Sequence, residues 1–390
     1  MRLPSLTRRE WILLTVLTIA RAAYGFQFQS VGAVGPSIVE GLGLPYASVG
    51  TLVGAYTALG IVLALPVGSL TERLGDRRTV LAGFAFMTAG SLIMAVAPGF
   101  AIALAGRVVS GAGGVLLVVA LPTIVMNRFP DAALSMAMGT LLAGYPIGIG
   151  GAAAGLPLLG SWRMAMAATA AVCAVSMVAT AFVLRDDEAS ERTGRRSRLS
   201  RAELSPVLAA GTVWGCVNAG YSVLLGFAAL FFVGHGLSAD AAGSLVSLTA
   251  FATVPTGPIG GWLLAQRPIM GIAIGTVVCV IALAMLPLNI WPAALLVVIG
   301  VTLATIGGPI VALPAAVLAP AHRAMGMSVF WLLFFLLMTL LPPLAGLARD
   351  LSGAVGAPLV VAAVFTALAL PFLAAYAGSR RIVSGAVKAG

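Results

Sequence analysis

The sequence predicts an all-α polytopic membrane protein of 12 transmembrane helices, built as two six-helix bundles related by a pseudo-two-fold repeat. Three observations predict it. Of 390 residues, 60% are hydrophobic and 9% are charged, and the mean hydropathy is +1.08, whereas typical soluble domains carry about 25% charged residues. The apolar residues fall into runs long enough to cross a bilayer, which takes roughly 20 residues each. The runs on either side of one hydrophilic segment match in number and partly in sequence.

This balance excludes a water-soluble enzyme, a disordered tail protein and a disulfide-stapled secreted module. The pI near 10.5 does not indicate nucleic acid, because the basic residues lie in short gaps between apolar runs and form no water-facing patch. Cys173, Cys216 and Cys279 each sit inside an apolar run without metal or redox spacing and read as core residues.

Taken in order, the spans lie near 11–38, 46–69, 79–97, 100–126, 134–157 and 163–184, then near 206–233, 239–265, 269–287, 292–318, 325–347 and 356–377. The first run follows Arg8 and Arg9 and continues past Arg21 for a full span with no cleavage site, so it reads as a span rather than a secretory signal. The hydrophilic stretch from Arg185 to Arg201 divides the chain into a bundle at 1–184, a cytoplasmic linker at 185–204 and a second bundle at 205–390. With both termini in the cytoplasm, nearly every Lys and Arg outside the spans falls on that side, and only Arg163 and Arg349 fall on the other. The positive-inside rule therefore sets the orientation.

The repeat is visible directly. At an offset of 193, Leu44, Gly50, Leu52, Val53 and Gly68 meet Leu237, Gly243, Leu245, Val246 and Gly261. Paired six-helix repeats with a site between them near the midplane are an architecture of secondary transporters.

The loop after the second span reads Gly68-Ser-Leu-Thr-Glu72-Arg73-Leu-Gly75-Asp76-Arg77-Arg78. Here glycines allow a tight turn, and acid and base can pair at the membrane surface. The fourth span carries Arg107-Val-Val-Ser-Gly111-Ala-Gly113, and the fifth carries Gly144-Tyr145-Pro146-Ile-Gly148-Ile-Gly150-Gly151. Together these resemble the signature motifs of the major facilitator superfamily, with Glu72 where the family usually has Asp and Tyr145 interrupting the fifth-helix motif. The resemblance implies that Gly68, Glu72, Arg73, Gly75, Arg77 and Arg78 form a conformational latch. It also implies an exchange-type motif at Gly144, Pro146, Gly148 and Gly151, residues that small-residue helix packing explains equally well. The compact build and a first-helix Arg are similar to small-anion and organic-anion porters of the cyanate-permease type. A bacterial inner membrane follows from the same resemblance.

Charge inside the membrane points to the substrate. Arg21 lies about 15 Å into the first span and Arg107 about 10 Å into the fourth, where an unpartnered Arg costs roughly 2.5–3.5 kcal/mol. None of the Asp or Glu residues falls well inside a span. An entering anion would supply the missing negative charge, and an Arg can hold a carboxylate or oxyanion bidentately. Structural bonding to carbonyls or amides is the competing role for each arginine. Tyr24 shares the Arg21 face of its helix, Gln27 points partly away, and Trp214, Asn218 and Tyr221 form a stripe in the seventh span that reads as a cavity wall. Thr249, Thr253 and Thr256 form a similar stripe in the eighth.

The only lysine is Lys388, so no phosphate-binding G-x-x-x-x-G-K motif exists. With two histidines in the chain, no comparable metal set exists either. The expected protein is no enzyme and needs no cofactor. It is a monomeric, alternating-access transporter of a small anion, with Arg21, Tyr24, Arg107, Trp214, Asn218 and Tyr221 at its site. Its partners are that anion and the bilayer. The alternatives are a multidrug or hydrophobic-compound efflux antiporter and a non-transporting membrane receptor.

Overall fold

The computed structural model describes residues 6–63, 74–129, 131–184, 199–264, 266–319 and 322–389. The first-half helices are α1 (Arg8–Ala33), α2 (Gly35–Leu42), α3 (Tyr46–Leu63), α4 (Asp76–Ala95), α5 (Phe100–Arg128), α6 (Asp131–Gly155) and α7 (Trp162–Val183). The second half comprises α8 (Arg201–Gly234), α9 (Ala239–Leu263), α10 (Pro268–Met285), α11 (Pro292–Ala312), α12 (Arg323–Ser352), α13 (Ala357–Ala367) and α14 (Ala369–Ala389).

Several boundaries differ from the sequence expectation for local reasons. The first run breaks after Val34, because Pro36 restarts the chain as the short helix α2. The segment read as linker ends early. Ser200 and Glu203 form a capping box that starts α8 at Arg201, three residues before the end of the expected linker. At the same offset of 193, Thr7 and Glu10 form the capping box of α1, so both halves open with the same device. The tenth run stops at Ala312, before Pro314, and the twelfth divides at Leu368.

Among the described residues, eleven helical stretches are long and apolar enough to cross a membrane. The sequence predicts twelve. The remaining long helix is α9, whose 25 residues include Ser244, Ser247, Thr249, Thr253, Pro255 and Thr256, which make it less apolar. Its threonines bond mainly backward: Thr253 Oγ1 donates to the Ala250 carbonyl and Thr256 Oγ1 to the Ala252 carbonyl, the use expected of hydroxyls in an apolar helix.

Packing repeats as the sequence does. Shifted by 193, α3 falls on α9 and α6 falls on α12. The α3–α12 contact and the α9–α6 contact are therefore one arrangement made twice, and both join the first half to the second. Within each half, α1 packs on α6 as α8 packs on α12. Large exposed apolar side chains such as Phe182, Val175 and Leu344 ring the outside, as lipid contact requires.

The bundle has a near face, carrying the starts of α1 and α8, and an opposite far face. Every hydrogen bond between the halves among the described residues lies at mid-depth or toward the far face. Gln29 Nε2 donates to the Leu225 carbonyl at 3.0 Å, and the Thr57 and Thr339 hydroxyls meet at 3.0 Å. At the far end, both oxygens of Asp350 accept backbone N–H bonds from the first turn of α3, from Tyr46 at 2.9 Å and Ala47 at 2.8 Å. Close backbone approach adds to this closure: Gly243 of α9 sits against the Ala153 carbonyl, and the Phe251 ring covers Gly150. Below mid-depth, Trp331 and Phe334 of α12, with Leu63 and Val118 of the first half, pack against a cluster of Val115, Leu116 and Phe335.

Candidate functional site

The site grows from one face of α1. Arg21, Tyr24 and Phe28 succeed one another at helical spacing, so their side chains share a surface. α6 brings Tyr145 against it and α3 brings Tyr56. The Arg21 guanidinium carbon lies 5.1 Å from the Tyr24 ring centre and 5.4 Å from that of Tyr145. Tyr24 stacks on Tyr145, with centres 5.3 Å apart, and Phe28 meets Tyr56 edge-on at 5.7 Å. Arg21 is 9% exposed, and its Nε and Nη1 have no hydrogen-bond partner. Two cation–π contacts partly offset the burial of the charge, each contributing about 0.5 to 2 kcal/mol, but its hydrogen-bonding capacity is unused.

Arg107 has the opposite surroundings. It is fully buried, donating from Nε to the Leu52 carbonyl at 3.0 Å, from Nη1 to the Gln27 carbonyl at 2.9 Å and from Nη2 to the Phe28 carbonyl at 2.6 Å. It also sits 4.5 Å from the Tyr56 ring centre. Its fork thus ties α5 to α1 and α3, which is the structural-bonding role weighed for it from the sequence. Gln27 also faces away from Arg21, with its Oε1 accepting from Ser91 Oγ at 2.8 Å.

In the second half, Trp214 occupies the position 193 residues after Arg21. Its Nε1 is buried without a partner, and its ring stacks on Phe334 at 6.2 Å. Asn218 donates to the Trp214 carbonyl at 2.9 Å, which engages its amide N–H within its own helix. Tyr221 is buried. Sequence reasoning did not single out Phe28, Tyr56, Tyr145 or Phe334 as site residues. Tyr145 carried a signal, since it interrupts a glycine motif that otherwise needs no aromatic there.

Of the expected latch, Gly68, Glu72 and Arg73 lie outside the described residues. Gly75 caps α4 with φ +78, a conformation that favours glycine. Arg77 donates to the Ala181 carbonyl at 3.4 Å, Arg78 is exposed, and Asp76 pairs with Arg128 at 3.8 Å. All of these contacts stay within the first half. In α6, a Cβ at Gly144 would strike the Thr18 carbonyl and one at Gly148 the Ala22 carbonyl, so both let α6 lie directly on α1. Pro146 lies inside the helix between them. Gly151 makes no comparable backbone approach: its nearest neighbour outside its own helix is the edge of Phe26 of α1, 4.0 Å from where a Cβ would stand.

The model of the Major Facilitator Superfamily matches residues 17–342. The chain belongs to this superfamily. It is 30% identical over 213 residues to a chloramphenicol efflux pump of Mycobacterium tuberculosis, covering 50% of each chain. It is 29% identical over 218 residues to the inner membrane transport protein YdhP of Escherichia coli, covering 51% of this chain and 54% of that one. It is 25% identical over 227 residues to the cyanate transport protein CynX of Escherichia coli, covering 56% and 58%. The chain thus spans only about half the length of the relatives it matches. Two solved structures share the superfamily fold over nearly the whole chain. A bacterial homologue of the human lysosomal transporter Spinster, inward-facing and occupied, superposes with TM-score 0.76 at 16% identity, covering 97% of this chain and 98% of that one. The nucleoside transporter NupG superposes with TM-score 0.78 at 13% identity, covering 94% and 99%.

Proposed function

We propose that this chain is a secondary active transporter that moves a small organic or inorganic anion across the membrane by alternating access, and that Arg21 is its anion-binding group. The observation that carries this reading is Arg21 itself, buried among aromatic rings near mid-membrane with Nε and Nη1 unpartnered. A buried charge of that kind calls for a counter-ion, and no acidic residue lies deep in a span to provide one. The superfamily and the half-length relationship to a cyanate transporter support the same reading. The distribution of arginines supports an orientation with both termini in the cytoplasm, and the family resemblance supports a bacterial inner membrane. On that orientation, the far-face bonds close the site to the outside. With no carboxylate or His deep within a span to carry a proton, exchange, uniport and symport with a substrate-borne proton are the available couplings, and one chain supplies the whole site.

Thermal unfolding of the purified protein against a panel of anions tests this, together with uptake into proteoliposomes. A ligand at 100 times its dissociation constant stabilises the native state by about 2.7 kcal/mol. Anion-specific stabilisation and uptake, both lost in Arg21→Gln, are expected. Wild-type uptake in that variant would overturn the reading. The second reading, efflux of hydrophobic compounds, draws on the relationship to a chloramphenicol efflux pump and on the ring-lined site. Stabilisation by uncharged amphipathic compounds, equal in both proteins, would put it first.

A further inference from the structure

The unsatisfied polar atoms at the centre are mostly of one chemical kind. Arg21 Nε and Nη1 and Trp214 Nε1 are buried donors without partners, and the Tyr56 hydroxyl is unpartnered as well. Buried donors are normally satisfied, so a ligand that fits here brings acceptors. The charge on Arg21 asks for those acceptors to be anionic.

The walls define the rest of the ligand. On the first-half side stand Tyr24, Tyr145 and Tyr56, mutually 5.3 to 6.0 Å apart where they touch. On the second-half side, Trp214 stacks on Phe334, and Phe334 meets Phe335 at 5.2 Å. The two walls converge, because the Phe335 ring covers Gly60, one helical turn along α3 from Tyr56. The repeat places Trp214 across the pseudo-two-fold axis from Arg21. Aromatic faces carry negative partial charge, so a bare inorganic oxyanion gains nothing from them while losing its water. A dianion lacks a second free fork, since Arg107 is bonded to the Leu52, Gln27 and Phe28 carbonyls.

Resting on the anion-transport reading above, we infer that the transported anion is a monocarboxylate with a flat aromatic body. Its carboxylate sits on Arg21, and its ring lies between the tyrosine wall and the Trp214–Phe334 stack. The indole N–H of Trp214 then donates to a polar substituent of the ring.

Equilibrium dialysis of radiolabelled benzoate with the purified full chain tests this, with acetate, nitrate and cyclohexanecarboxylate as competitors. Benzoate should bind about tenfold more tightly than acetate or nitrate, and severalfold more tightly than cyclohexanecarboxylate. Arg21→Gln should lose benzoate altogether. Trp214→Leu should keep acetate affinity while reducing the advantage of benzoate severalfold, and Trp214→Phe should retain most of it. If Trp214→Leu does not elute as folded protein, Phe334→Leu serves the same purpose. Acetate and nitrate competing as well as benzoate, with all binding lost in Arg21→Gln, would leave anion transport standing and overturn the aromatic monocarboxylate. Cyclohexanecarboxylate equal to benzoate, or an advantage unchanged in both wall variants, would overturn it too. No anion binding at all in wild type would overturn both readings.

Discussion

Arg21 and Arg107 are the same residue type in the same half, and their environments give them opposite parts. Arg107 bonds three carbonyls on two neighbouring helices, whereas Arg21 meets only ring faces. Hydrogen bonds involving a charged group contribute about 1.5–3 kcal/mol each. Arg107→Gln is therefore expected to lower the unfolding temperature in detergent whether or not an anion is present, by a loss of about 3 kcal/mol or more. Arg21→Gln should not destabilise the ligand-free protein, because no hydrogen bond is lost there and the two cation–π contacts only partly offset the cost of burying the charge. An Arg107→Gln protein that unfolds like wild type but no longer responds to anions would make Arg107 a binding residue after all. The presence of both charges in spans was legible in the sequence. Which one is satisfied was not, because the satisfying carbonyls lie about 55 and 80 residues away and carbonyls are invisible to residue type.

At the scale of helices, small residues matter where a backbone lies on them. α6 rests on α1 through Gly144 and Gly148, while Gly151 has only the edge of the Phe26 ring at contact distance. Gly148→Ala is expected to cost about 1–3 kcal/mol by overpacking, and Gly151→Ala to change stability by less than about 0.5 kcal/mol. Chemical or thermal unfolding in detergent measures both. Equal costs would mean that the motif acts as a unit rather than through contact. The glycine spacing was readable beforehand, but a spacing shared by three glycines does not say which of them meets a neighbour. Helix starts were better encoded, since the capping boxes at Thr7 and Ser200 are local sequence features with local consequences.

For the whole molecule, the proposed alternating access requires the halves to part at the far face. Asp350 caps α3 with both carboxylate oxygens and Arg349 lies 4.8 Å from the Tyr46 ring centre, so the far-face seal contains a charge set against a helix N-terminus. The repeat-related position is Pro157, which has no carboxylate, so the α6–α9 contact lacks this cap. Asp350→Asn weakens it by about 1 kcal/mol, which is about a fivefold population shift. A membrane-impermeant thiol reagent applied from the far side should modify Thr339→Cys about fivefold faster in the Asp350→Asn background. An unchanged rate would show that the cap is decoration on a seal held by packing alone. The three native cysteines are buried and give little background.

The sequence by itself determined the membrane class, the approximate course of the helices, the repeat in residues and the superfamily, because these follow from composition, run length and local motifs, all of which are properties of short stretches of chain. It also marked Arg21 as a charge needing a counter-ion, since the absence of acids in the spans is a matter of counting. Only the tertiary structure decided that Arg107 is satisfied within the protein, that Tyr56 and Tyr145 gather with Tyr24 beside Arg21 and Phe334 stacks on Trp214, and that Asp350 joins the halves. Each of these depends on which helix faces lie together, and Tyr46 and Asp350 are 304 residues apart. Helices in lipid are apolar all round, so periodicity alone does not tell the face that meets protein from the face that meets lipid.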